Sequence, residues 1–145
     1  MQEEHNYIVW NKKFETGIIT IDAQHRKLVR IINRLHSTLM NRTDFDIDKD
    51  ASLKLILNEA IQYTKTHFSL EEQLMKTVNY PGFAQHKKEH EAFILKIIET
   101  GKSTKADSVR SYFSFVKFLS DWVLSHIANT DMLYAKDVLN YYKKM

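Results

Sequence analysis

Apolar residues recur along four stretches of this chain at the three-and-four spacing that lines one face of an α-helix. In the first stretch, from Asp22 to about Arg42, the stripe runs His25, Leu28, Ile32, Leu35, Leu39. The second, from beyond Asp50 to about Val78, carries Leu53, Ile56, Leu57, Ala60, Thr64, His67, Glu71 and Leu74 on one side. The third starts near Phe83 and groups Phe83, His86, His90, Phe93 and Ile97. The fourth, from about Ala106, carries Tyr112, Phe115, Leu119, Trp122 and His126. Between them lie a polar, Asp-rich loop over residues 41–50, the turn signal Asn79-Tyr80-Pro81-Gly82, and Gly101-Lys102-Ser103. Residues 1–20 read as an N-terminal arm carrying Trp10 and Phe14 and bending at Gly17, with Asp22 as the helix N-cap. Short connections between four such helices predict an all-α fold, an up-down-up-down four-helix bundle over 21–145, as a single domain with the arm.

Composition narrows the chemistry. The chain has 145 residues, 43% of them hydrophobic, enough for one domain with a real core. Three Gly and one Pro leave room for long helices and argue against an all-β fold. The lack of Cys excludes disulfides, thiolate zinc sites, iron–sulfur clusters and covalent haem attachment. No apolar run is long enough for a membrane span, and no apolar leader is visible, so a soluble, cytoplasmic protein with no membrane association is expected. The net charge of +3 comes from basic residues interspersed with acids, so nucleic acid is not expected as a partner. A monomer is expected, and at this length no fused signalling domain is expected.

Chemistry concentrates in the histidines. His67 and Glu71 are four apart, as are His86 and His90; His126 is followed five residues later by Asp131; His25 stands upstream of all three pairs. Residues four apart share a helix face and can grip one metal. On an up-down-up-down bundle, His25 and His86 fall in first turns, while His67 and His126 fall late in antiparallel helices. All seven groups therefore converge on one end of the bundle. Imidazoles suit Zn, Cu, Fe and Ni, and carboxylates can bridge pairs of ions. Five imidazoles, two bridging carboxylates and one shared solvent oxygen leave about one of roughly twelve octahedral positions open on a metal pair. Five residues overshoot a helical turn by about 140°, so His126 and Asp131 cannot both face one centre from a regular α-helix. A π-bulge or a local loosening of the helix is expected between them, and π-bulges favour functional sites.

This set of residues resembles the hemerythrin family, in its bacterial branch. The resemblance also rests on Trp10, Gly17-Ile18, Ile21-Asp22-x2-His25, His67-Phe68, Glu71-Glu72, Tyr80-Pro81 and Trp122 four before His126, and it runs through nearly the whole chain. It implies two Fe ions. His86, His90 and His126 would hold one, His25 and His67 the other, and Glu71 and Asp131 would bridge them with an oxo or hydroxo group. It also implies reversible binding of dioxygen at the iron held by two histidines, in a carrier, store or sensor rather than an enzyme, acting through a separate partner if it senses. Leu28, Phe68 and Trp122 are candidates for the dry lining of the oxygen pocket.

Other readings attach to the same residues. A di-iron enzyme that reduces or activates oxygen, peroxide or nitric oxide is the alternative, but neutral imidazoles outnumber carboxylates, which disfavours high-valent iron. A closed zinc site needs fewer ligands than seven. His36 returns to the face of His25 but about 16 Å further along the helix, too far to join it. His5 is expected to be exposed, and Glu72, Glu89 and Glu91 to be solvated.

Overall fold

The computed structural model describes residues 7–40, 47–103 and 109–144. Its helices are α1 (Ile19–Met40), α2 (Ile47–Thr77), α3 (Phe83–Ser103), α4 (Val109–Ser125) and α5 (Asp131–Lys143). A π-helical turn, His126–Thr130, joins α4 to α5, so the two act as one rod with a widened turn inside it. α1 packs against α2 and α4, and α3 against α2 and α4, so the four rods form a ring around one core. This is an all-α four-helix bundle. No helix among the described residues is long and apolar enough to cross a membrane.

The large apolar core fills one end of the ring, with Ile32, Leu35 and Leu39 of α1, Leu53 and Leu57 of α2, Ile97 of α3 and Phe115 and Leu119 of α4. A second, smaller cluster, Met75, Tyr134 and Val138, closes the opposite end. The histidine-bearing turns lie between the two. Each buried aliphatic side chain of the stripes contributes roughly 1.5–3 kcal/mol relative to exposure. Leu35, Leu53 and Ile97, each fully buried, anchor three of the four rods.

The helix boundaries follow local chemistry. α2 stops where Asn79 takes a left-handed conformation (φ 54°). There Tyr80 N donates to Met75 O and Asn79 N to Lys76 O, the paired bonds of a Schellman stop. Asn tolerates this conformation because its short polar side chain carries little steric cost there. Pro81-Gly82 then turns the chain into α3. α2 begins at Ile47, inside the stretch read as loop, and residues 41–46 lie outside the described residues, as do Ala106 and His5.

Asp22 does not cap α1, which starts three residues earlier, at Ile19. Its buried carboxylate instead faces back across the helix start. It accepts from Thr16 N (2.8 Å), Thr16 Oγ1 (2.8 Å) and Gly17 N (3.1 Å). Gly17 has φ +88°, and a Cβ there would meet Leu139 Cδ1 at 3.3 Å, so the arm turns tightly against α5. Asp22 therefore ties the arm to the end of the bundle where His25 sits. Asp22→Ala should leave those buried donors unpaired and lower stability by about 1–3 kcal/mol. A urea titration followed by Trp fluorescence measures it, and an unchanged midpoint would show that the arm is not held this way.

Candidate metal centre

His25 comes from α1, His67 and Glu71 from α2, His86 and His90 from α3, His126 from the π-turn and Asp131 from the first position of α5. The structure brings all seven side chains into one cluster, and every one is buried, Glu71, Asp131 and His25 completely. The π-turn makes this possible at the fourth rod. The Asp131 N–H donates to His126 O, five residues back, so the turn holds one extra residue and both side chains face inward.

The donor atoms sort into two groups that share the carboxylates: Glu71, His86, His90, His126 and Asp131 in one, and His25, His67, Glu71 and Asp131 in the other. Each carboxylate divides its oxygens between them. Asp131 Oδ1 lies 3.0 Å from His126 Nε2 and 3.2 Å from His86 Nε2, while its Oδ2 lies 3.0 Å from His25 Nε2. Glu71 Oε1 lies 2.6 Å from His67 Nε2, and its Oε2 lies 3.9 Å from His86 Nε2. The Nε2 atoms of His90 and His86 approach that of His126 to 3.1 and 3.2 Å.

These separations test which ion the residues fit. Donors ~2.1 Å from an octahedral ion lie ~3.0 Å apart along an edge, whereas on a tetrahedral ion they lie ~3.4 Å apart. The separations of 3.0–3.2 Å in the three-histidine group are ones that donors to a single ion can span. Both oxygens of Glu71, both of Asp131, His67 Nε2 and both ring nitrogens of His25 are buried without a hydrogen bond. Buried polar atoms are rarely left so. Close approach without hydrogen-bond geometry is what lone pairs aimed at a common cation produce.

Groups behind the imidazoles set their tautomers. His67 Nδ1 lies 2.6 Å from Gln24 Oε1, and His90 Nδ1 lies 2.9 Å from Glu72 Oε2. Each ring nitrogen donates outward, leaving Nε2 with a lone pair facing the centre. Glu89 Oε2 stands 3.9 Å from His126 Nδ1. Glu72, expected to be solvated, is thus drawn to a ligand imidazole, because a glutamate is long enough to reach sideways off its helix, whereas Glu89 stays 39% exposed. Glu91 is exposed, as its position suggested. Tyr134, three residues after Asp131, places a buried hydroxyl without a hydrogen bond at this end of the bundle, its ring edge-on to His86. Its spacing from Asp131 could have flagged it; nothing in the sequence singled out Gln24, and Glu72, part of the Glu71-Glu72 motif, was read as solvated.

Aromatic rings cover the three-histidine side. Phe68 stacks on His90 at 3.6 Å between centroids, and Trp122 stacks on His126 at 4.3 Å. Leu28 is buried one turn along α1 from His25. His36 lies outside the cluster, half-buried and stacked on Tyr7 at 4.1 Å.

Without metal, protons balance the buried carboxylates. Burial alone would lower the His25 pKa, but Asp131 and Glu71 beside it raise it to about 9. Asp131 also raises His126 against its burial. Burial and the charge of Asp131 push Glu71 up, yet His67 and His25 outweigh them and bring it to about 2. Asp131 is held well below the usual carboxylate range, its burial outweighed by His126, His25 and His86. Burial drives His90 down to about 3, so this imidazole stays neutral. Metal binding must therefore displace protons.

These features have known counterparts. The family model for the hemerythrin HHE cation binding domain matches residues 16–138. The bacteriohemerythrin of Stenotrophomonas maltophilia is 34% identical over 138 residues, which covers 90% of this chain and 81% of that protein. The bacteriohemerythrin of Clostridium acetobutylicum is 34% identical over 127 residues, covering 87% and 97%. A crystal structure of wild-type hemerythrin matches with a TM-score of 0.75 at 25% identity, over 91% of this chain and 98% of that one.

Two predictions follow from the geometry. His25→Ala and His67→Ala should lower metal content per chain, measured by elemental analysis, while His36→Ala should leave it unchanged. Iron lost from a folded His36→Ala protein would mean that the ligand set is wrong. The second concerns pH. A raised histidine pKa adds stability that is full below the unfolded value of 6.5 and lost as pH rises through about 9. A lowered one, as at His90, favours the folded state above 6.5 and disfavours it as pH falls toward 3. Metal-free protein should therefore melt at its highest temperature near pH 6.5 and lose stability by pH 9.5. Metal-loaded protein, with no proton on His25 to lose, should hold its melting temperature across that upper range. Calorimetry of both forms decides it.

Proposed function

The chain belongs to the hemerythrin family, and on that premise we propose that it binds dioxygen reversibly at a non-haem di-iron centre. The observation that carries the proposal is the division of Glu71 and Asp131 between two histidine groups, one oxygen of each carboxylate to each group. On this reading His86, His90 and His126 would hold one iron and His25 and His67 the other, with Glu71 and Asp131 as ligands shared by both. A ferrous pair bound there would supply the electrons that reversible dioxygen binding requires.

The chain's own residues do the rest. Three imidazoles and two carboxylate oxygens leave little room for a further ligand on one side. Two imidazoles leave a position on the other, and the ligand pocket is assigned there. Leu28, buried one turn from His25, is assigned to its apolar lining, while Phe68 and Trp122 stack on the imidazoles opposite. A dry site matters because water or a small anion in the free position would favour permanent oxidation. Neutral imidazoles outnumber carboxylates, which favours a carrier, store or sensor in the cytoplasm over an oxidising enzyme.

The test begins with iron-replete expression and elemental analysis, with two irons per chain expected. The reduced protein, exposed to air, should then develop a visible charge-transfer band that fades when oxygen is removed and returns on re-exposure. Immediate, irreversible conversion to the oxidised form, with no adduct, would instead support an enzyme that reduces or activates oxygen, peroxide or nitric oxide. One iron or fewer per chain would remove the di-iron reading itself.

A further inference from the structure

The groups behind the imidazoles differ on the two sides of the centre. On the three-histidine side, His90 Nδ1 donates to the carboxylate of Glu72 at 2.9 Å, and the carboxylate of Glu89 faces His126 Nδ1 at 3.9 Å. On the two-histidine side, His67 Nδ1 donates to the neutral amide of Gln24 at 2.6 Å, and His25 Nδ1, fully buried, has no hydrogen-bond partner among the described residues. A carboxylate behind an imidazole pulls the Nδ1 proton toward itself and raises electron density at Nε2. An amide orients the ring but adds much less density, and a bare Nδ1 adds none.

Glu72 is placed for this role by its neighbours. It follows Glu71 on α2, so its backbone points about 100° away from the centre. Its side chain lies instead in the groove between α2 and α3, beside Phe68, His90 and Ile94, with Lys65, Ser69 and Glu91 also on its walls. The Glu72 side chain is only 21% exposed there, which limits how well water competes for the carboxylate. The flat stacking of Phe68 on His90, with 4° between ring planes, holds the imidazole in the orientation that meets Glu72.

We propose that Glu72 is a positioning residue that makes the two metals inequivalent. Through His90 it tightens the grip of the three-histidine side, and the two-histidine side, backed by Gln24, holds its metal more loosely. The proposal rests on the di-iron reading. It assigns a reason for the asymmetry beyond the count of ligands, and it names the residue at which the asymmetry can be reversed. Gln24 is isosteric with Glu, so Gln24→Glu would place a carboxylate behind His67 with no change of shape.

The experiment uses the whole iron-loaded chain, reduced under anaerobic conditions and challenged with excess of a ferrous chelator, with release followed optically. Wild type should lose its two irons in two phases. Replacement of a group behind a metal-bound histidine typically costs ~10–100-fold in affinity. Glu72→Gln, which keeps an acceptor for His90 but not the charge, should speed the slow phase by about ten-fold and leave the fast phase unchanged. Glu72→Asp, one methylene too short to reach His90 from the side of its helix, should speed the slow phase as Glu72→Gln does, and Gln24→Glu should slow the fast phase alone. Melting curves of the iron-free variants should match wild type, which separates positioning from a general loss of packing. Single-phase release of two irons from wild type, an unmoved slow phase in Glu72→Gln, or equal acceleration of both phases would each overturn the proposal while the di-iron reading stands. A wild-type chain that holds only one iron would overturn the di-iron reading, and this proposal with it.

Discussion

Two carboxylates with no access to water sit at the centre of this bundle, and the rest of the structure is arranged around the charge they require. An ionised carboxylate moved into a protein interior loses several kcal/mol of hydration unless a cation stands beside it. Among the described residues, Glu71 and Asp131 have no lysine or arginine as close partners; imidazoles surround them instead. The metal-free chain meets the demand with protons on His25 and His126, the two imidazoles whose pKa values the carboxylates raise. A metal pair meets it with more charge and without the mismatch of unpaired lone pairs. The cluster is thus poised for cations by electrostatics, before any likeness to another protein is considered.

Helix geometry decides which part of this could be read along the chain. Spacings of four placed His67 with Glu71 and His86 with His90 on single faces, and the alternation of helix direction placed all seven groups at one end. Those inferences needed only the period of the helix and the order of the elements. The spacing of five between His126 and Asp131 was more informative, because it conflicts with a regular helix. The conflict is resolved by a widened turn, where Asp131 N–H reaches back to His126 O. A functional demand had broken a local rule, and the break was visible as a wrong number of residues.

What could not be read depends on side-chain reach rather than backbone period. Glu72 and Asp22 show two forms of this. Glu72 lies on the wrong face by its Cβ direction, yet its length and the groove beside α3 let it meet His90. Asp22 carries the residue type of a helix cap, but α1 starts three residues before it, so its carboxylate serves the arm instead. Gln24 stands next to His25 in sequence and serves His67 on another helix, a relation that no spacing along one helix encodes.

The two sides of the centre also differ in what lies beyond them. A groove of about 430 Å³ between α2 and α3 reaches the edge of His90, and one of about 420 Å³ between α3 and α4 reaches His126. Both border the three-histidine side. The imidazoles of His25 and His67 line neither groove. His25 is completely buried, and the cluster of Met75, Tyr134 and Val138 closes the end beyond. Tyr134, from that cluster, lies edge-on to His86 of the three-histidine side. Its hydroxyl keeps its proton, because burial and the nearby charges of Glu71 and Asp131 all push its pKa well up. It therefore offers a neutral polar group rather than another anion beside two carboxylates. On the proposed reading, the side with the free ligand position is the side shielded from solvent, and the side that meets the grooves has its positions filled by protein. A small neutral molecule can cross packed side chains through brief openings, whereas an anion would have to leave its hydration shell behind. That difference in cost, set by where the apolar layers lie relative to the histidines, is what would let oxygen in and keep the species that spoil reversibility out.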